Sequence, residues 1–153
     1  MAEIRKNSLI GLWILVKYLV RFEQDGREVY PFGEDAKGYI YYSPEGFTAG
    51  VMMHNDRPNF TTGDRLGATE AEKVKAWDSY ITYMGFYELE EEEQRVIHKI
   101  RLSLYPNWSG QDQYRYIEHL DNGNIELTNY IEERGVRRVA IATWRRATPE
   151  DYE

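Results

Sequence analysis

The sequence predicts an all-β protein: an antiparallel up-and-down barrel of about eight to ten short strands with one short helix. Three observations predict it. Apolar and polar residues alternate with a period of two along most of the chain, and helical spacing appears after Thr69. Turn signals separate the alternating runs at Asp25-Gly26, Ser43-Pro44-Glu45-Gly46, Glu91–Gln94 and Asp121-Asn122-Gly123. Gly11-Leu12-Trp13 opens the first run, and Trp144-Arg145-Arg146 closes the last. A barrel must seal its closed end. A Trp ring fills the plug, and a guanidinium on its face adds roughly 0.5–2 kcal/mol. A small barrel sealed at one end has one open mouth, which makes it a cup for a small molecule. Trp13 and Trp144 also read as ordinary core aromatics.

Taken in order, Ile14–Glu23 reads as a strand with Ile14, Val16, Tyr18, Val20 and Phe22 on one face. Asp25-Gly26 turns the chain, Arg27–Tyr30 returns, and Pro31–Lys37 is a loop. Gly38–Tyr42 and Phe47–His54 are the next strands. Asn55–Gly67 is a long loop of the kind that covers a barrel mouth. Thr69 with Glu72 makes a capping box, so a helix runs from there to about Ser79, with Val74, Trp77 and Ile81 facing the barrel as a plug or lid. Tyr83–Glu90, Val96–Leu104, Gln113–Leu120, Ile125–Tyr130 and Val136–Arg146 complete the sheet.

The 153 residues suit one domain, residues 1–153, with one core. The net charge is −7 with no basic stripe, which argues against nucleic acid and anionic membranes as partners. Cysteine is absent, so disulfides, thiolate metal sites and a cysteine nucleophile are excluded. No signal-peptide core follows the start and no apolar run reaches membrane-spanning length, so the expectation is a soluble cytoplasmic protein. There is no phosphate-binding glycine loop and no serine nucleophile elbow. His54, His98 and His119 fall on different strands, so no metal and no cofactor are expected.

The alternation selects candidates for the interior. Val96, His98, Ile100, Leu102 and Leu104 share the apolar face of their strand. An imidazole there is either a core group held by a tyrosine hydroxyl or an acid–base group touching the ligand. Tyr83, Tyr87 and Leu89 share a face, with Gly85 leaving room for a backbone or a flat ligand. Tyr39, Tyr41, Met53, His54 and Trp77 are further candidates for ligand contact, with Met53 on an adaptable apolar wall and His54 where the lid loop starts. Asn107 and Trp108 form a loop clamp. Arg115 and Tyr116 lie on opposite faces of one strand, and periodicity leaves open which points inward. An interior Arg115 needs a carboxylate or a ligand oxyanion as partner.

The chain resembles the lipocalin-like domain family, intracellular calycin-type β-barrel proteins of bacteria and fungi. The likeness is carried by Gly11-Leu12-Trp13, Tyr30-Pro31-Phe32-Gly33, Gly38-Tyr39-Ile40, Tyr42-Ser43-Pro44-Glu45-Gly46, Met53 and Asp56-Arg57-Pro58. It continues through Tyr80-Ile81, Tyr83, Gly85, Tyr87, Val96-Ile97-His98, Pro106-Asn107-Trp108, Gln113 and Arg115. The chain departs from the family's pattern at Lys17, Leu19 and His54. The resemblance implies a barrel with a central pocket and a place beside natural-product pathways.

Two functions are open. In the first, the cavity binds a small hydrophobic or aromatic metabolite, and the protein is a monomer or homodimer. In the second, it is a cofactor-free isomerase, cyclase or dehydratase acting on a polyketide- or terpenoid-like intermediate. There His98 is the acid or base, Tyr83 or Tyr87 the proton donor or oxyanion partner, and Arg115 stabilises negative charge.

Overall fold

Period-two alternation becomes the inside and outside of one sheet in the computed structural model, which describes residues 3–153. The strands are β1 (Gly11–Phe22), β2 (Glu28–Val29), β3 (Lys37–Tyr42), β4 (Phe47–Met53), β5 (Tyr80–Glu90), β6 (Arg95–Ser103), β7 (Asp112–His119), β8 (Ile125–Glu133) and β9 (Val136–Arg146). All neighbours pair antiparallel in chain order, apart from β2, which is a two-residue ladder on the far end of β1. β1 bonds both β3 and β9, so β1 and β3–β9 close an eight-stranded barrel. Closure removes every sheet edge except that of the short β2. Among the described residues no helix is long and apolar enough to cross a membrane.

The turns fall where the sequence placed them, and the predicted helix is α2 (Glu70–Asp78). Its N-cap Thr69 accepts from the Glu72 backbone N–H, and the Glu72 carboxylate accepts from the Thr69 N–H. A single-turn helix, α1 (Lys6–Leu9), was not expected, because the polar opening segment carries no periodic pattern. Its Leu9 and the preceding Ile4 are completely buried and join the core cluster around Trp13 at the barrel's closed end.

That end is sealed as the two terminal motifs predict. The Trp13 ring is buried and its Nε1–H donates to Leu9 O at 2.9 Å. The Arg146 guanidinium lies 4.3 Å from the Trp13 ring centroid and donates to the carbonyls of Ile10, at 2.8 Å, and Ser8. Gly11 makes the approach possible. Its φ is +125°, and a Cβ there would stand 2.7 Å from Arg146 Nη1. Arg145 turns outward to a bidentate pair with Asp151, at 2.9 and 2.7 Å.

Two bulges correct the expected faces. In β1 the register against β9 shifts between Leu15 and Lys17. Trp13 and Leu15 therefore point in with Arg146 and Trp144 as partners, while Tyr18 and Val20 point in opposite Ala142 and Ala140. One inserted residue flips the alternation, so Ile14 and Val16 do not share the inner face of Tyr18. In β6 the shift at Arg101 turns Leu102 outward, 63% exposed, although Val96, His98 and Ile100 are fully buried as expected.

Gly85 sits opposite this second bulge. A Cβ there would come within 2.1 Å of Lys99 O. The space beside Tyr83 is thus taken by the β6 backbone, not left for a ligand. Gly85→Ala is expected to cost at least about 2 kcal/mol in urea unfolding. Gly63→Ala, where nothing lies within 4 Å, is expected to stay within about 0.5 kcal/mol of the parent. Equal effects of the two changes would contradict the close approach.

Candidate ligand cavity

The barrel interior is filled at the sealed end and hollow at the other. Trp13, Tyr42, Tyr87, Val96 and Ile125 pack the lower half. Above them lies a cavity of about 480 Å³, a size that suits a small organic ligand. Its floor and walls include Ile40, Met52, Leu127 and Trp144, with Tyr18, Phe32, Tyr83 and Trp108 adding aromatic surface. Tyr83 meets Trp108 edge-on at 5.8 Å, and Tyr105 meets Trp108 at 5.6 Å, so the aromatics brace one another at the mouth.

The lid is tied down by polar contacts. Arg57, from the loop before α2, donates to Ser79 Oγ at 3.0 Å and Ala76 O at 3.3 Å, and lies over the Tyr80 ring. It caps the negative end of α2. Trp77 and Asp78, at that end of the helix, border the cavity.

Arg115 is the cation of the cavity wall. In the β6–β7 ladder it lies opposite Val96, and Gln113 lies opposite His98, so both face inward with these buried partners. Among the described residues no carboxylate is within 4.0 Å of its guanidinium; Nη1 donates to Tyr114 O at 3.1 Å. The β7–β8 ladder holds four pairs, from Tyr116↔Thr128 to His119↔Ile125. Beyond it, Arg115 and Asn129 border both the cavity and a hollow on the outer surface.

Behind the wall sits a buried polar relay. His98 has no exposed surface; the Tyr42 hydroxyl lies 2.7 Å from its Nε2 and the Tyr83 hydroxyl 3.0 Å from its Nδ1. Of the three, Tyr83 reaches the cavity. Burial pushes the His98 imidazole well below its ordinary range, and the nearby Arg115 charge adds to the push. Burial likewise raises the Tyr83 hydroxyl, partly offset by Arg115, and raises Tyr42 more strongly. All three side chains are therefore neutral near pH 7.

The structure brings Tyr83, Arg115, Trp77 and Trp108 to the cavity wall. Other candidates lie elsewhere. His98 stands behind Tyr83, in the place of a core histidine held by tyrosine hydroxyls. Tyr87 is below the cavity, where its hydroxyl donates to Ser43 O at 2.6 Å. Tyr39 and Tyr41 are 53% and 39% exposed on the outer face, because Gly38, Ile40 and Tyr42 take the inward positions of β3. Tyr116 is also outside, edge-on to Tyr130 and near Arg95. Met53 pairs with Lys37 and faces out, leaving Met52 inside opposite Ile81. His54 borders a separate hollow against Ala71, Val74 and Lys75 of the lid. Asn107 is exposed on the 3₁₀ turn Pro106–Trp108.

Sequence reasoning missed Asn129 and the inward role of Met52. Alternation through Leu127, Asn129 and Ile131 would have found the first.

A closed antiparallel barrel with one end plugged and an apolar cavity at the other defines a small-molecule-binding barrel. The lipocalin-like domain family matches residues 10–147, and the chain belongs to that family. It is also similar to a protein of Aspergillus oryzae named 4'-hydroxy-3'-methoxypropiophenone carrier protein. The two are 28% identical over 103 residues, covering 62% of this chain and 92% of that protein.

The buried imidazole makes a pH prediction. Folding lowers the His98 pKa, so the unfolded chain takes up the proton more readily. Its contribution to stability is complete above about pH 6.5 and is lost as pH falls below that value. Between about pH 7 and pH 5, urea unfolding should show stability falling more steeply in the parent than in His98→Gln, by up to about 1.4 kcal/mol per pH unit. Identical slopes would mean that His98 titrates normally in the fold.

Proposed function

We propose that the protein binds a small, largely apolar aromatic metabolite inside the barrel, as a carrier. The observation that carries this reading is the cavity itself, apolar on most of its wall and holding an Arg115 guanidinium with no carboxylate partner among the described residues. Arg115 is half-buried and gives one N–H to Tyr114 O, which leaves its other N–H groups free to donate to a ligand oxygen. The Aspergillus oryzae relative is named for carrying an aryl ketone, and a molecule of that size fits the volume here.

The second reading is cofactor-free isomerisation, cyclisation or dehydration by proton transfer inside the barrel. It draws on Tyr83, which touches both the cavity and His98. The depressed basicity of His98 weighs against it, since a buried neutral imidazole without a carboxylate partner is a poor base near pH 7.

Three of the four tryptophans, Trp77, Trp108 and Trp144, line the cavity, so their fluorescence reports occupancy. Titration with 4'-hydroxy-3'-methoxypropiophenone is expected to saturate at one equivalent, with a Kd on the order of 10 μM. The product mixture should hold the ligand unchanged. Arg115→Met should weaken binding about tenfold. No saturable quenching with this ketone or with other aromatic metabolites would overturn the carrier reading, and turnover of the ligand would favour the second.

A further inference from the structure

The polar relay behind the cavity wall fixes where its hydrogens point, and that direction selects the ligand's chemistry. The inference rests on the binding reading above. Tyr42 has no exposed surface, and among the described residues its hydroxyl has one hydrogen-bond partner, His98 Nε2 at 2.7 Å. His98 is fully buried with hydroxyls at both ring nitrogens and no carboxylate, so the ring is neutral and carries one hydrogen.

Two arrangements are possible. If Nε2 carries the hydrogen, it donates to Tyr42 Oη and Tyr83 donates to Nδ1. The Tyr42 hydroxyl hydrogen is then stranded in the dry core, where an unmade hydrogen bond is most costly. If Nδ1 carries the hydrogen, Tyr42 donates to Nε2 and Nδ1–H donates to Tyr83 Oη. The Tyr42 and His98 donors are then both satisfied, and the one spare hydrogen of the three belongs to Tyr83, which borders the cavity.

We infer that Tyr42 holds His98 as the Nδ1–H tautomer and so reserves the Tyr83 hydroxyl hydrogen for the ligand, which makes the cavity selective for a hydrogen-bond acceptor such as a ketone carbonyl. Tyr42 acts as a positioning residue, since it never touches the cavity. Another polar group agrees. The Arg115 guanidinium on the wall has only donors. Acceptors elsewhere on the wall are the Asp78 carboxylate at the lid and the Asn129 amide oxygen, while Tyr18, Tyr80 and Tyr105 carry hydroxyls that both donate and accept. A flat apolar skeleton bearing a carbonyl therefore matches the Tyr83–Arg115 side, whereas a ligand presenting a donor there meets hydrogens.

Two measurements test this. Long-range proton–nitrogen correlation spectra of ligand-free protein report the tautomer, with the His98 signals assigned by their loss in His98→Gln. A bare Nε2 and a protonated Nδ1 are expected; a protonated Nε2 overturns the inference. Tryptophan quenching then compares 4'-hydroxy-3'-methoxypropiophenone with the same skeleton whose carbonyl is replaced by methylene. The parent should prefer the ketone, and Tyr83→Phe should lower that preference about tenfold, leaving only the part that Arg115 supplies. Equal binding in the parent, or a preference unchanged in Tyr83→Phe, overturns the ligand assignment. Failure of either compound to bind at all counts against the carrier reading instead, and leaves the tautomer to be judged by the spectra.

Discussion

The ladder between β1 and β9 creates the inside of this protein. It runs from Trp13↔Arg146 to Phe22↔Arg138 and joins the first barrel strand to the last. Without it the strands would form an open sheet with two bare edges and no enclosed face. Closure forces a choice at each end. At one end Trp13 and α1 fill the interior and the Arg146 guanidinium covers the Trp13 ring. At the other the strands end in loops and α2, and the centre stays open. The bulge at Val16 is part of the same constraint. It lets one strand present Trp13 and Leu15 to the plug, then Tyr18 and Val20 to the wall above.

The boundary between filled and hollow halves is polar. Tyr42, His98 and Tyr83 lie across it in one hydrogen-bonded line, from the packed core to the cavity wall. Buried polar groups of this kind are tolerated only when each is satisfied. The line meets that condition within the protein at Tyr42 and His98, and hands its unsatisfied end to the cavity at Tyr83. Neutrality follows from the same burial, since among the described residues no carboxylate pairs with the imidazole. On the proposed reading the site selects its ligand by shape and hydrogen-bond direction, with Arg115 as the cation on its wall.

Much of this was legible in the sequence. Inside and outside of a barrel are written as a side-chain period of two, so the strands, their turns, the buried face of His98 and the Trp–Arg seal could all be read. Height within the barrel could not. Tyr83 and Tyr87 share a face, yet one reaches the cavity and the other the plug. Bulges were also invisible, because a one-residue slip leaves no mark on composition, and Leu102 was placed inside for that reason. The tyrosines misled in a further way. This barrel is aromatic on its outer face too, where Tyr114, Tyr116 and Tyr130 stack with Arg95 and Arg137, so Tyr39, Tyr41 and Tyr116 carried no signal of cavity contact. Arg115 became interpretable only once its register against Val96 was known.

The most direct test of the account is a crystal structure of the complex with 4'-hydroxy-3'-methoxypropiophenone. The account predicts the aromatic ring inside the barrel near Phe32 and Trp108, with the carbonyl oxygen roughly 2.7 Å from the Tyr83 hydroxyl and the Arg115 guanidinium beside it. A ligand seated on the outer surface, or one inside with its carbonyl turned away from Tyr83 and Arg115, would contradict it.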